Sequence, residues 1–181
     1  MLVALVDTLK QLRYQIAHLD DSTLNSEYPE LASFIQQVGL TVTESKDDLK
    51  FLYQFLYVYG RKSEATFNRF RNELERFYLW SWLIAEKSVF SLKREDIEAY
   101  VDFMAEPDKK WASTSVQWRY KDEQGIRRLN QNWRPFILKE SIASQQTLAA
   151  MFTALNVFYK FSILEEKTFE PTVGTVIDGV F

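Results

Sequence analysis

Few residues in this chain could carry out acid–base, nucleophilic or metal chemistry. The sequence contains one histidine, His18, and no cysteine. Nucleophilic triads need an imidazole beside the nucleophile, and zinc sites draw on Cys and His ligands, so both kinds of site are disfavoured. The five glycines are scattered and form no phosphate-binding loop of the G-x-G-x-x-G type. We therefore expect no catalytic residue, no metal ligand and no cofactor in this chain.

Positive charge is the chemistry that remains. The formal net charge is -3, but residues 61–139 carry 16 Lys and Arg against 12 Asp and Glu, between two acidic ends. Within residues 119–139, six cations face only Asp122 and Glu123. These cations are Arg119, Lys121, Arg127, Arg128, Arg134 and Lys139. Such a segment either binds a polyanion or is a solvated loop, and charge alone leaves both interpretations open.

A second polar surface follows one side of a predicted helix that runs from Ser63 to about residue 85. The hydroxyl of Ser63 suits an N-cap. Helical periodicity places five apolar side chains on the core side, namely Phe67, Phe70, Leu74, Phe77 and Tyr78. The opposite side carries a mostly cationic stripe, namely Lys62, Arg69, Asn72 and Arg76. The first half of this helix therefore presents a basic, polar surface to solvent.

The fold that positions these residues is expected to be all-α. The 181 residues are 46% hydrophobic and 26% charged, with five Gly and four Pro, which favours one helical core over a turn-rich β fold. Asp7 and Lys10 interrupt the apolar N-terminus before a signal peptide or a membrane span could form. We therefore expect a soluble, cytoplasmic protein with no membrane partner.

Apolar spacing predicts helices almost throughout the chain. Their approximate bounds are residues 2–19, 29–38, 47–59, 63–85, 92–105, and a last helix that begins after Ser141 or Ser144 and ends near 165. Residues 106–140 have no sustained period and contain three Trp. Because loops of this length are usually functional or disordered, we predict a long, basic, Trp-containing insertion before the last helix.

Three segments of the chain, in order, match a known pattern. The first is Ser63-x-x-Thr66-x-x-x-Phe70-x-x-x-Leu74-x-x-Phe77-x-x-Trp80. The second is Leu92-x-x-Glu95-Asp96-Ile97-x-x-Tyr100, and the third is Ser144-x-x-Thr147 leading into Leu155-x-x-Phe158-Tyr159-x-Phe161. Together they resemble the N-terminal core-binding domain of the tyrosine recombinase (phage integrase) family, a SAM-like helical module. The run Asn132-Trp133-Arg134-Pro135-Phe136 resembles an insertion in some members of that family.

This resemblance implies an orthogonal bundle of about four to five core helices that clamps one face of duplex DNA. In that family a separate catalytic domain supplies two Arg, a Lys, a His-x-x-Arg and a nucleophilic Tyr. His18-Leu19-Asp20-Asp21 does not match that motif, so the resemblance implies that cleavage and joining belong to sequence outside this chain. It implies double-stranded DNA as the partner, together with other recombinase protomers as a tetramer on paired sites.

The resemblance also implies roles for particular residues. Hydroxyls of Thr66, Ser144 and Thr147 would bond phosphates, side chains of Asn68, Arg69, Asn72 and Gln146 would reach base edges, and Arg76 would contact a phosphate. Three insertion residues complete the predicted DNA-binding set, namely Arg127, Arg128 and Arg134. This assignment requires the first turns of the two helices that begin near Ser63 and Ser144 to lie side by side, open to solvent.

The predicted organisation has three parts. Residues 1–45 form an N-terminal helical extension, residues 46–168 form the DNA-binding domain with its insertion at 106–140, and residues 169–181 form a linker toward a catalytic domain. The alternative function is a helical protein–protein interaction module without DNA binding, which the acidic ends and the net negative charge favour. An enzyme complete within this chain is the least favoured reading.

Overall fold

The computed structural model describes residues 1–20, 22–137 and 145–165, and within them the chain is mostly helical. The helices are α1 (Leu9–His18), α2 (Ser22–Glu27), α3 (Pro29–Gln37), α4 (Val42–Gly60), α5 (Glu64–Trp80), α6 (Arg94–Ala105) and α7 (Gln145–Leu164). Four short strands accompany them: β1 (Ala112–Ser113), β2 (Tyr120–Glu123), β3 (Ile126–Leu129) and β4 (Phe136–Ile137). The mainly helical class is thus confirmed, with a small β component that the all-α prediction lacked.

The N-terminal residues are not helical as far as Thr8, so the predicted helix over residues 2–19 was wrong in its first half. Residues 3–7 are buried and belong to neither a helix nor a strand. The amides of Leu5 and Val6 donate to Glu75 Oε1 at 2.7 and 3.1 Å. The hydroxyl of Tyr53 donates to the carbonyl of Leu5. Because side chains of α4 and α5 satisfy these backbone groups, the segment can be buried without helical hydrogen bonds.

Asp7 joins this N-terminal segment to the insertion. Its carboxylate has no exposed surface, and Arg127 binds it in a bidentate ion pair, with Nε–Oδ2 at 2.8 Å and Nη2–Oδ1 at 3.0 Å. The hydroxyl of Tyr28 also donates to Oδ2, at 2.9 Å. One hydrophobic core therefore continues across the predicted boundary at residue 45, and the residues before it pack against the same core as those after it.

Aromatic rings of α4 and α7 fill the centre of that core. Phe158 lies edge-on to Phe51 and Phe55, with centroid distances of 5.3 and 5.5 Å. Such edge-to-face pairs add to the stabilisation from burial. At the end of α4, Gly60 allows α5 to approach closely, because a Cβ atom there would lie 2.9 Å from the Cα of Phe67. The high aromatic content of the sequence is therefore used largely for packing.

Helices α3, α5 and α6 largely follow the predicted bounds, whereas α2 was not predicted and α4 begins at Val42, before the predicted start at residue 47. Pro29 begins α3, and Ser63 caps α5 by accepting a hydrogen bond from the Thr66 amide at 3.3 Å. A π-helical turn at Ser81–Ala85 continues α5 to the predicted end. The N-cap of α6 is Lys93, whose amide donates to the carboxylate of Asp96 at 2.8 Å.

The predicted insertion forms two small β pairs. Strand β1 pairs with β4 in parallel, and β2 pairs with β3 as an antiparallel hairpin. Gln124 and Gly125 form the two-residue hairpin turn, both with positive φ, at 55° and 85°. Such a turn favours glycine, which explains the position of Gly125. The strands escaped prediction because each is only two to four residues long.

Helix α7 is apolar enough in length and composition to cross a membrane, a property that buried core helices share. Met151, Leu155 and Phe158 on this helix have no exposed surface. Burial of these three side chains is expected for a helix that packs in the protein core. The predicted linker at residues 169–181 lies outside the described part of the chain.

We predict that Arg127→Ala lowers the free energy of unfolding by about 3 kcal/mol, because it leaves a buried carboxylate without its cation. Denaturant unfolding measures the change. The matched control is Arg94→Ala, whose partner Glu98 lies on the same helix surface, with both side chains more than 60% exposed; we expect a loss below about 1 kcal/mol there. Similar small losses in both variants would contradict a structural role for the Asp7–Arg127 pair.

The buried carboxyl of Asp48 should make the stability of the fold depend on pH. Burial raises the pKa of its carboxyl to about 6, although Ser88, Trp82 and the Val89 amide donate to the carboxylate. The folded state holds this proton more tightly than the unfolded state. The protonated carboxyl therefore makes its full contribution to the free energy of unfolding below about pH 4. This contribution is lost as the pH rises through about 6.

We therefore expect the stability difference between wild type and Asp48→Asn to shift by about 3 kcal/mol in favour of the variant between pH 4 and pH 7. The Asn side chain does not titrate, so its own packing cost is the same at every pH. Urea unfolding of both proteins across this range measures the difference. A difference that stays constant with pH would show that Asp48 is ionised throughout.

Candidate nucleic-acid interface

The first turns of α5 carry the polar surface that the sequence predicts. Arg69 is exposed and lies over the ring of Phe70, with its guanidinium carbon 5.2 Å from the ring centroid. Thr66 and Asn68 are half-buried on the same two turns, and Asn72 is exposed one turn further on. Among the described residues, no carboxylate forms an ion pair with Arg69. Its charge is therefore available to a ligand.

A group of exposed cations adjoins the start of α5, and we call it the basic corner. It combines the beginning of α1 with the end of α4, and consists of Lys10, Arg13, Tyr57, Arg61 and Lys62 around one shallow groove. Within the described part of the chain, none of its four cations pairs with a carboxylate. The corner and Arg69 together place five cations around the N-terminal end of one helix, where the helix dipole adds positive potential.

Tyr57 organises the basic corner. Arg13 Nη2 donates to the Tyr57 hydroxyl at 2.6 Å, and the guanidinium carbons of Arg13 and Arg61 lie 5.3 and 4.9 Å from the centre of its ring. Hydrogen bonds from both guanidinium groups lower the pKa of the Tyr57 hydroxyl. The aromatic ring thus holds two cations close together without neutralising either of them.

A cleft of about 360 Å³ separates α5 from the insertion, and we call it the α5 cleft. Asn68 and Asn72 line its α5 side, and Trp118 and Trp133 line the insertion side. Its polar lining includes four guanidinium groups and two carboxylates, namely Arg71, Arg76, Arg119, Arg134, Glu64 and Glu75. The cleft therefore carries an excess of positive charge.

The insertion covers the second half of the polar stripe on α5. Arg119 forms an ion pair with Glu75 at 2.7 Å, and its Nη2 group also donates to the side-chain oxygen of Asn72 at 3.0 Å. Arg76 Nε donates to the carbonyl of Pro135 at 2.8 Å. Asn72 and Arg76 are therefore engaged within the protein, and the open part of the stripe is its beginning, around Arg69.

The three predicted insertion residues also have partners within the chain. Arg127 is bound to Asp7, as described above, and Arg134 donates to the carbonyl groups of residues 131 and 133. Arg128 lies 3.3 Å from Glu30 and remains 42% exposed on its side chain. The basic character of this segment is thus used to attach it to the N-terminal residues. DNA contact by these three arginines stays a prediction, with Arg128 the most accessible of them.

The third predicted group belongs to the start of α7. Ser144 lies outside the described residues, Gln146 is exposed and Thr147 is half-buried. Ring contacts join the second halves of α5 and α7, with Tyr159 6.2 Å from Phe77. The first turn of each helix lies about 20 Å of helix length from that contact. Side-by-side placement of the two first turns therefore stays a prediction.

Sequence reasoning missed the basic corner and the burial of the carboxylates of Asp7 and Glu75. Lys10 and Arg13 are three residues apart on α1, while Arg61 and Lys62 follow Gly60, and only the tertiary packing of α1 on α4 brings the pairs together. The spacing of three on α1 is a signal that places Lys10 and Arg13 on one helix face. No local pattern announces that Asp7 and Glu75 are buried.

Nothing in the described ranges suggests a metal site, since no group of three His, Asp or Glu side chains is arranged to hold an ion. The chemistry of this surface is therefore charge and hydrogen bonding. Comparisons of the chain with protein-family models, curated proteins and solved structures found no match.

Proposed function

We propose that this chain is a DNA-binding module of a site-specific recombinase of the tyrosine recombinase type. In this proposal it holds duplex DNA at the recombination site, while a catalytic domain outside this chain cuts and rejoins the strands. The protein acts in the cytoplasm, and further protomers bind the paired sites. The observation that carries the proposal is the cluster of five cations around the N-terminal end of α5, formed by the basic corner and Arg69, none of which pairs with a described carboxylate.

The distribution of charge supports this assignment. The chain is acidic overall, and most insertion arginines are paired with carboxylates or carbonyl groups of the same chain. Against that background, Arg61, Lys62 and Arg69 remain exposed and unpaired among the described residues, within nine positions of the sequence. Cations of this kind neutralise backbone phosphates, whereas side chains such as Asn68 can bond base edges.

The alternative is a helical protein-interaction module, and one observation favours it. Val116 and Trp118 expose 81% and 53% of their surface on the loop between β1 and β2. Exposed apolar side chains of this size are common at protein interfaces. The two functions are compatible, because a recombinase protomer must contact both DNA and its neighbours. The salt dependence of DNA binding separates them.

We expect the isolated chain to bind duplex DNA weakly and with strong salt dependence. If four phosphates are neutralised, the logarithm of affinity falls with the logarithm of salt concentration at a slope of about -3.6. Fluorescence anisotropy with a labelled duplex at several salt concentrations measures this slope. Absence of binding at low salt, or affinity that does not change with salt, would favour the protein-interaction alternative.

We expect Arg69→Ala and Lys62→Ala each to weaken duplex binding about tenfold at low salt, and to reduce the salt slope by about 1. The matched controls are Arg94→Ala and Lys46→Ala, which remove the same charges from α6 and from the beginning of α4. These controls should bind as wild type does, once circular dichroism confirms folding. Equal losses in all four variants would mean that only overall charge matters and would remove the α5 surface from the proposal.

A further inference from the structure

We propose that the α5 cleft is a binding site for a single phosphate group, separate from the cations of the basic corner. The ligand is a phosphate ester, supplied either by a small molecule or by the backbone of a nucleic acid. The inference does not depend on the proposed function, because it rests on the groups that line the cleft. Those groups are two guanidinium side chains, one helix N-terminus and two asparagine amides.

Arg71 and Arg134 are the two cations of this cleft that form no ion pair with a described carboxylate. Arg71 is half-buried and makes one long hydrogen bond, from Nη1 to the carbonyl of Asp7 at 3.4 Å. Its Nε group is buried without a hydrogen-bond partner. Burial, and then the charge of Arg119, lower the pKa of Arg71 to about 10. A buried charge is normally paired, so an unpaired one beside a cleft indicates an external anion.

Arg119 adds a second guanidinium group to the same cleft. Its side chain is 10% exposed, its Nη2 group binds Glu75 and Asn72, and its Nε group has no partner. The planar group rests on Trp133, with the guanidinium carbon 5.0 Å from the ring centroid. Arg119 is therefore held rigidly, as the arginines of phosphate sites usually are.

The beginning of α1 opens into the same cleft. Thr8 and Leu9 line it, and the Thr8 side chain makes no capping hydrogen bond to the helix. The first amides of a helix have no partners within the helix and carry partial positive charge, so they bind phosphate oxygens readily. Asn68 and Asn72 supply further side-chain amides on the opposite wall.

The charges of Glu75, Asp7 and Glu64 raise the pKa of Arg71 and so oppose its lowering by burial, but none of these carboxylates forms an ion pair with it. Glu75 already accepts from two backbone amides and from Arg119, and Asp7 is bound by Arg127 and Tyr28. Glu64 is exposed at the rim, in the first turn of α5. The cleft, of about 360 Å³, is lined by more guanidinium groups than carboxylates and has room for a phosphate and part of the group esterified to it.

The test uses inorganic phosphate as the probe, with chloride at matched ionic strength as the reference. We expect phosphate, but not chloride, to raise the melting temperature of the wild-type chain. We expect the phosphate affinity of Arg71→Gln to be at least about tenfold lower. The control Arg94→Gln removes an exposed cation of α6, outside the cleft and the basic corner, and should bind phosphate as wild type does. No phosphate-specific effect in wild type, or equal phosphate affinity in Arg71→Gln, would overturn the proposal.

A measurement on the wild type keeps the test decisive if Arg71→Gln does not fold. In an NMR titration, the amide signals of Leu9 and Lys10 and the side-chain Nε signal of Arg71 should shift together on addition of phosphate. Shifts confined to Arg61 and Lys62 would place phosphate at the basic corner and overturn the proposal for the cleft.

Duplex DNA distinguishes the two sources of the phosphate. If the cleft takes a backbone phosphate, Arg71→Gln should reduce the salt slope of duplex binding by about 1, and inorganic phosphate should compete with the duplex. If the ligand is a small phosphate ester, Arg71→Gln should bind the duplex as wild type does while losing phosphate. Failure of duplex binding altogether would remove the proposed function and leave the phosphate result unaffected.

Discussion

The carboxylate of Glu75 connects three parts of the chain that are distant in sequence. One oxygen accepts the amides of Leu5 and Val6, and the other binds Arg119 of the insertion. Glu75 itself is 1% exposed on α5. A charge so deeply buried is tolerated only when its hydrogen-bonding capacity is filled. The N-terminal segment and the insertion therefore depend on each other, since removing either would leave Glu75 buried without enough donors. The polar surface of α5 is in turn shaped by this pairing, because the insertion covers its second half.

Periodicity was sufficient to predict most helices, but it failed where side chains replaced helical hydrogen bonds. Helices α3 and α5 begin where Pro29 and Ser63 indicate, because those signals act locally on the backbone. Residues 2–8 carry an equally good apolar spacing, yet they form no helix, because α4, α5 and the insertion supply partners for their amides and carbonyls. The competing interactions lie more than 40 residues away in sequence, so a local pattern could not reveal them.

The candidate site was predictable only in part, for a related reason. The sequence identifies which residues are cationic, but the ligand-binding capacity of a cation depends on whether a carboxylate reaches it. Counting charges singled out residues 119–139, whereas in the fold Arg119 and Arg127 are paired with Glu75 and Asp7. Four cations that form no ion pair with a described carboxylate lie together at the basic corner, where α1 packs against α4. Arg69 is the predicted residue that combines exposure with an unpaired charge among those that the structure describes.

An arginine paired with a buried carboxylate contributes to folding, whereas an unpaired arginine can bind an external anion. Arg127 has a partner that is never exposed, so its charge contributes to folding and is nearly invisible to a ligand. Arg71 differs from Arg127, because the fold half-buries its guanidinium group without providing an ion pair from a described carboxylate. Desolvation of such a cation costs free energy, and only the binding of an anion offsets that cost. A pocket that keeps one cation in this condition, beside an uncapped helix N-terminus, binds an anion more strongly than an exposed lysine does, since less water has to be displaced from the charge.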